Sequence, residues 1–325
     1  MNYLSTHNLC IGYKTKTDTT PILSGLNLTL EQGSLVALLG ANGAGKSTLL
    51  RTITAIQPPL SGEIDICGRD ISSLSQKDRS KIISIVTTDR IMAGALTVFE
   101  LVALGRHPHT GFLGRLSEKD KQIVDQSLKD AGIYHKSACY VSQLSDGERQ
   151  KAMIAKSLAQ DTPIIILDEP TAFLDVASRF EAMKLLHDLA HKHKKAVLLS
   201  SHDIAQSLLL ADKVWMITEK REMITGNTED LILDAKLNDM FNSSALRFNP
   251  EITDFEAVLP HHATVCLKCH DAALHRCLTN ALLRNGFAIG CNSPTIITAV
   301  DARHLDINGS ETNSIQSLID ILKSM

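Results

Sequence analysis

The sequence predicts an α/β fold built around a parallel sheet, and three observations carry that prediction. Apolar runs at residues 34–39, 164–167 and 196–200 have the length and composition of strands buried on both faces. Strand-like and helix-like runs alternate from residue 1 to about 248, the pattern of packed α/β layers. The first apolar run leads through a glycine-rich loop directly into a helical pattern that starts near Thr48.

That loop reads Gly40-Ala41-Asn42-Gly43-Ala44-Gly45-Lys46-Ser47-Thr48, a complete G-x-x-x-x-G-K-[ST] string. A strand, a glycine loop and a helix N-terminus in this order aim backbone N–H groups at an anion. Lys46 adds a point charge for the β- and γ-phosphates of a nucleotide triphosphate, and the Ser47 hydroxyl is a ligand for Mg²⁺. The loop therefore predicts a nucleotide triphosphate with Mg²⁺ as its ligand.

From about residue 90 to 160 the pattern turns helical, which predicts a helical insert in the α/β core. Thr97-Val98-Phe99-Glu100 is a capping box that opens a short apolar helix. Ser117-Glu118-Lys119-Asp120 opens another, with Gly132 as its stop. Leu144-Ser145-Asp146-Gly147-Glu148-Arg149-Gln150 is again a capping box, with Ser145 as cap and Glu148 reaching back. The same string reads as a second anion site, because Gly147 permits close approach to a helix N-terminus.

The second apolar run, 164–167, ends in Asp168-Glu169-Pro170. Asp168 is placed to hold Mg²⁺ through its water shell. Glu169 is placed to take a proton from an attacking water. Ser201-His202-Asp203 follows the third run.

Taken in order, these strings resemble the ATP-binding subunit of ABC transporters, over about residues 1–250. The glycine loop matches Walker A and Asp168-Glu169 completes Walker B. Residues 144–148 stand where the family has its LSGGQ signature. Ala172-Phe173-Leu174-Asp175 matches the D-loop, and His202 the switch histidine. Tyr13 stands where an aromatic residue stacks on adenine.

The resemblance implies a P-loop ATPase whose two copies pack head to tail and sandwich two ATP molecules. Lys46 and Ser47 of one copy would then meet Ser145 and Gly147 of the other across the γ-phosphate, and His202 would orient the water that Glu169 deprotonates. Two departures stand out: Asp146 and Glu148 replace a glycine and a glutamine of the signature. A third is that residues 85–88 lack the glutamine of the Q-loop, leaving Thr88, or Asp89, as the Mg²⁺-side substitute.

Leu104-Gly105-Arg106-His107-Pro108-His109 resembles a string of the subfamily serving importers of iron–siderophore complexes, haem and cobalamin. Its local reading is a helix end with basic residues near the C-terminus and a stop at Pro108. The expected partners are a second copy, a membrane permease and, indirectly, a binding protein. Alternatives are another importer ATPase, for metal ions, or a soluble ABC ATPase outside transport.

Bulk composition fits this reading. The chain has 325 residues, Lys+Arg 33 against Asp+Glu 36 and a net charge of −3, which argues against a broad nucleic-acid surface. No stretch approaches the roughly 18 apolar residues of a spanning helix, and the first residues lack a secretory pattern. Seven cysteines scattered without export signals read as reduced thiols. The expected location is therefore the cytoplasmic face of the inner membrane, as a peripheral subunit.

Beyond the match, Asn249-Pro250 and Leu259-Pro260 mark a linker at about 251–260, and residues 261–325 read as a small α+β extension. Strands are expected at 263–267, 295–300 and 304–307, and helices at 271–284 and 314–322. Cys266-Leu267-Lys268-Cys269-His270 is a CxxCH string. Haem attachment needs an oxidising, exported setting. A zinc or iron site needs further ligands, and no second CxxC or HxxxH pair at ligand spacing accompanies the string. Structural thiols in a small core are the favoured reading.

Overall fold

In the computed structural model, residues 1–87, 95–111, 114–241, 243 and 245–325 are described. Strand β1 (Asn2–Lys14) runs antiparallel to β2 (Thr19–Leu26) and β3 (Thr29–Glu31). The wholly buried β4 (Leu35–Gly40) follows, then helix α1 (Lys46–Ile53), β5 (Ser61–Ile66), β6 (Arg69–Asp70), the single-turn α2 (Gln76–Arg79) and β7 (Ile83–Val86). The insert contributes α3 (Val98–Ala103), α4 (Glu118–Asp130) and α5 (Asp146–Ala159). The chain continues through β8 (Ile164–Leu167), α6 (Val176–His191), β9 (Ala196–Ser200), α7 (Ile204–Leu210), β10 (Lys213–Ile217), β11 (Met223–Asn227) and α8 (Thr228–Leu233).

Among the described residues two sheets form here. One has the order β11-β10-β4-β9-β8-β7, parallel except for β11 at its edge. The other runs β2-β1-β5-β6, with β3 on β1. A shared core joins Leu4, Leu9 and Ile11 of the second sheet to Leu38, Leu198 and Trp215 of the first and to Leu49 and Ile53 of α1. The apolar runs expected to be parallel strands are β4, β8 and β9, and they are neighbours. Their carboxyl ends open together, which is where ligands sit in open α/β sheets.

The insert is pinned by one buried guanidinium. Arg106 Nε donates to Asp120 Oδ1 at 2.9 Å and Nη1 donates to the Ala159 carbonyl at 2.8 Å. It thereby ties the 3₁₀ turn Leu104–His109 to α4 and α5. At Gly105 a side-chain carbon would stand 2.2 Å from the Lys156 carbonyl oxygen, so only glycine lets the turn lie this close to α5. The Ser117 hydroxyl and amide, with Arg106 beside them, hold the Asp120 carboxyl at about 2. The capping boxes expected at Thr97 and Ser145 form, and the helix start expected at Ser117 is closed by another.

The chain divides into two compact units, Met1–Asn242 with Phe248–Asp254, and Ser243–Arg247 with Phe255–Met325. Strands β12 (Leu246–Asn249) and β13 (Asp254–Ala257) pair with each other, so the stretch expected as a linker carries a strand. The second unit continues with β14 (Ala263–Cys269), α9 (Ala272–Arg284), β15 (Phe287–Ile289), β16 (Ile296–Asp301), β17 (His304–Ile307), β18 (Ser310–Thr312) and α10 (Ile315–Ser324). Its sheet order is β15-β14-β16-β17-β18, the first three parallel. Val265, Leu278, Phe287, Ile297, Leu305 and Leu318 belong to its own core.

Candidate active site

The glycine loop leaves β4 and enters α1 without a side-chain cap. Gly45 stands at the N-cap with φ +113 and no side-chain oxygen meets the first turn. The N–H groups of that turn are therefore left for an incoming anion. At Gly43, φ is +76 and nothing lies within 4 Å of where a side-chain carbon would stand. The loop is thus a cradle with free space above it.

Lys46 lies inside the cradle and is buried. Its Nζ donates to the carbonyls of Gly40 (2.8 Å) and Ala41 (3.2 Å). Burial pushes its pKa down, while the carboxylates of Glu169 and Asp168 pull it back up. Thr48 Oγ1 lies 3.1 Å from the Tyr13 hydroxyl, which fixes the half-exposed Tyr13 ring beside the start of α1. Gly40, Ala41 and Asn42 face Ser201, His202 and Ile204 across a cleft of about 180 Å³.

The neighbouring strand ends supply the acids. Asp168 Oδ1 accepts from Ser200 Oγ at 2.6 Å, and Ser200 Oγ in turn accepts from the Glu169 amide at 2.9 Å. No described residue donates to Asp168 Oδ2. Glu169 sits at φ +51, a left-handed conformation uncommon for a side chain of this size. Its Oε1 is 2.5 Å from His202 Nε2. Ser200 escaped the sequence reading: it is the last residue of an apolar strand, and only the β8–β9 pairing shows what its hydroxyl holds. Thr88 and Asp89 lie outside the described residues.

The signature-like string lies at the start of α5. Ser145 Oγ accepts from the Glu148 amide at 3.2 Å, and Glu148 Oε2 from the Ser145 amide at 3.0 Å. Glu148 also pairs with Lys136 at 3.1 Å. The additional charge of Asp146 is matched by Arg149 at 2.8 Å. A side-chain carbon on Gly147 would stand 2.6 Å from Ser178 Oγ, at the first turn of α6. The close approach that Gly147 permits within the chain is therefore one of helix to helix. Asp175 caps α6, accepting from the Ser178 amide at 2.8 Å.

Residues 23–172 match the ABC transporter family model. An uncharacterized ABC transporter ATP-binding protein of Methanocaldococcus jannaschii is 37% identical over 253 residues, 78% of this chain and 86% of that protein. The chain belongs to the ABC transporter ATP-binding family. Another relative, the iron(3+)-hydroxamate import ATP-binding protein of Bacillus subtilis, is 37% identical over 204 residues, 63% of this chain and 74% of that protein. A dimeric ATP-binding cassette solved in a post-hydrolysis state with ADP and Pi superposes with a TM-score of 0.60 at 26% identity, covering 69% of this chain and 98% of that one. The fold is thus the P-loop ABC ATPase fold, as the motifs imply, and ATP hydrolysis is the activity of the family.

The ABC cassette does not absorb the CxxCH string. Cys266 and Cys269 lie on β14, three residues apart. At about 3.3 Å per residue with alternating faces, their side chains point to opposite sides of the sheet, roughly 10 Å apart. One ion cannot bind both thiols there. Cys269 Sγ instead lies 3.4 Å from the Asp271 carbonyl. Among the described residues no group of three or more His, Cys, Asp or Glu is placed to hold a metal, and no helix is long and apolar enough to cross a membrane.

Proposed function

We propose that this chain is the ATP-hydrolysing subunit that energises import of a metal chelate through a membrane permease, working as a head-to-tail pair with ATP between the copies. The observation that carries the reading is the convergence of Lys46, Asp168, Glu169 and His202 at the adjacent ends of β4, β8 and β9. The iron-hydroxamate relative supports the cargo class, and the dimeric cassette supports the pairing.

ATP fits the cradle. The uncapped turn of α1 receives the β-phosphate, Lys46 turns from the Gly40 and Ala41 carbonyls to the β- and γ-phosphates, and Tyr13 lies beside the base. Mg²⁺ fits the donor set of Ser47 and Asp168, whose Oδ2 has no donor among the described residues, while Ser200 fixes the carboxylate's orientation. When bound, the ion neutralises phosphate charge and orients the γ-phosphate. Glu169 takes the proton of the attacking water at Oε1, and His202, already in contact with that oxygen, holds the γ-phosphate and the water in line. Ser145 and Gly147 have no contact with the phosphate loop of their own chain among the described residues. In the head-to-tail pair, a second copy brings them to the γ-phosphate, a reading the dimeric cassette supports.

Glu169→Gln tests this. The amide is nearly isosteric but cannot take a proton, so ATP binding is expected to persist while hydrolysis stops. The ATP-bound pair should then survive size-exclusion chromatography with nucleotide. Wild-type turnover by this variant, assembled with its permease, would remove Glu169 from the general-base role.

A further inference from the structure

The first turn of α6 carries a side chain that reaches two functional loops at once. Arg179 Nη1 donates to Asp203 Oδ2 at 2.9 Å, and Nη2 donates to the Leu174 carbonyl at 3.2 Å. Leu174 sits in the D-loop between Phe173, at φ +65 and 80% exposed, and Asp175. Asp203 follows His202 directly, and its Oδ1 caps α7 by accepting from the Gln206 amide at 3.1 Å. Glu169, Phe173, Arg179, His202 and Asp203 line one cleft of about 190 Å³.

We propose that Arg179 is a positioning residue for hydrolysis, a splint that fixes the switch-histidine loop to the D-loop of the same chain. His202 is exposed on a short loop and meets Glu169 through a single contact. The Ser201 and Ser207 hydroxyls hold the Asp203 backbone, the Gln206 amide holds its Oδ1, and the planar guanidinium is what ties its Oδ2 to the D-loop side. A guanidinium presents paired donors in a rigid fork, so it sets both distances together. The Arg179–Asp203 pair is itself partly exposed, at 35% and 20% of the side-chain surface. Such pairs contribute little to global stability. The consequence of the contact is therefore the location of His202, not the persistence of the fold. Because the D-loop is the other anchor, a displacement of Leu174 reaches His202 through one side chain.

The inference rests on the roles given above to Glu169 and His202, and its test separates the two. In the full chain, Arg179→Ala is expected to lower kcat for ATP between about tenfold and a hundredfold, the effect of a misplacement of about 1 Å. KM for ATP and the unfolding midpoint should change little. Hydrogen exchange of the amides at 203–207 should quicken. Arg179→Lys, which reaches one acceptor but not both, should fall between Arg179→Ala and wild type. In an Asp203→Asn background, adding Arg179→Ala should cost little more, since both changes break one contact. Wild-type kcat and exchange in Arg179→Ala would overturn the splint, as would full additivity of the two substitutions. Hydrolysis by Glu169→Gln would instead overturn the site assignment beneath it.

Discussion

Glu169 is a carboxylate at a strand end, held in a left-handed conformation, with its amide fixed by Ser200 and its Oε1 against an imidazole. A non-glycine residue in that conformation costs roughly 1–3 kcal/mol, and the surrounding structure must impose it. Here the neighbouring strand β9 does so, through one hydroxyl that orients Asp168 and Glu169 together. Ser200→Ala should therefore lower turnover while leaving Lys46 and the phosphate loop intact, which steady-state kinetics with nucleotide-binding measurements will separate. Lys46→Ala should lower turnover by about 10²–10³-fold, the loss typical of one electrostatic stabiliser of a transition state, with the fold retained. Unchanged turnover in that variant would remove the nucleotide site from this loop. Lys46, Ser47, Asp168, Glu169 and His202 were legible in the sequence because each belongs to a short string whose chemistry fixes its residue types. Ser200 and Arg179 were not. Their partners are 32 and 24 residues away, and only the pairing of β8 with β9 and the placement of α6 beside α7 bring them there.

At the scale of elements, the helices that border the site differ in whether a side chain closes their N-termini. Ser117 and Ser145 cap α4 and α5, which is why the strings at those residues marked helix starts, and Asp175 caps α6. α1 alone among the elements of the site begins on a bare glycine. The role of Gly147 was only half legible, because its in-chain neighbour Ser178 belongs to a different helix. Gly147→Ala should push α5 off α6 and lower turnover, and Ser178→Gly in the same chain should restore much of the loss. Failure of that rescue would place the constraint on the phosphate side instead. The Arg106–Asp120 pair gives a second prediction for the insert. Arg106→Ala leaves the Asp120 carboxylate with Ser117 alone and the Ala159 carbonyl without its donor, and should destabilise the protein by about 1–3 kcal/mol, measured by chemical denaturation. The sign of the pH effect follows from the depressed carboxyl of Asp120. An unfolded Asp titrates near 3.9 and the folded one at about 2, so its contribution is complete above about pH 4 and is lost as pH falls toward 2.

For the whole molecule, the elements expected beyond residue 260 match β14, α9, β16, β17 and α10 within a few residues. Not among them were β15 and β18, three residues each, which are too short to show an alternating pattern and exist because longer neighbours pair with them. The CxxCH string, read from the sequence as structural thiols, lies on a strand whose alternation separates its two cysteines. The purified full chain is accordingly expected to carry no stoichiometric zinc or iron by elemental analysis. One equivalent lost in a Cys266→Ser/Cys269→Ser variant would contradict the strand geometry.

The pairing of β12 with β13 also sets rules for cutting the gene. The two compact units trade the chain back and forth around residues 243–255, so no single stop codon separates them. A fragment ending at 242 lacks the stretch 248–254 that belongs with the cassette. One ending at 254 retains β12 but leaves it without its antiparallel neighbour, and an orphaned strand edge recruits other chains. Fragments intended to isolate the ATPase should therefore run through Ala257, and aggregation of the shorter ones would be a property of the cut, not of the cassette.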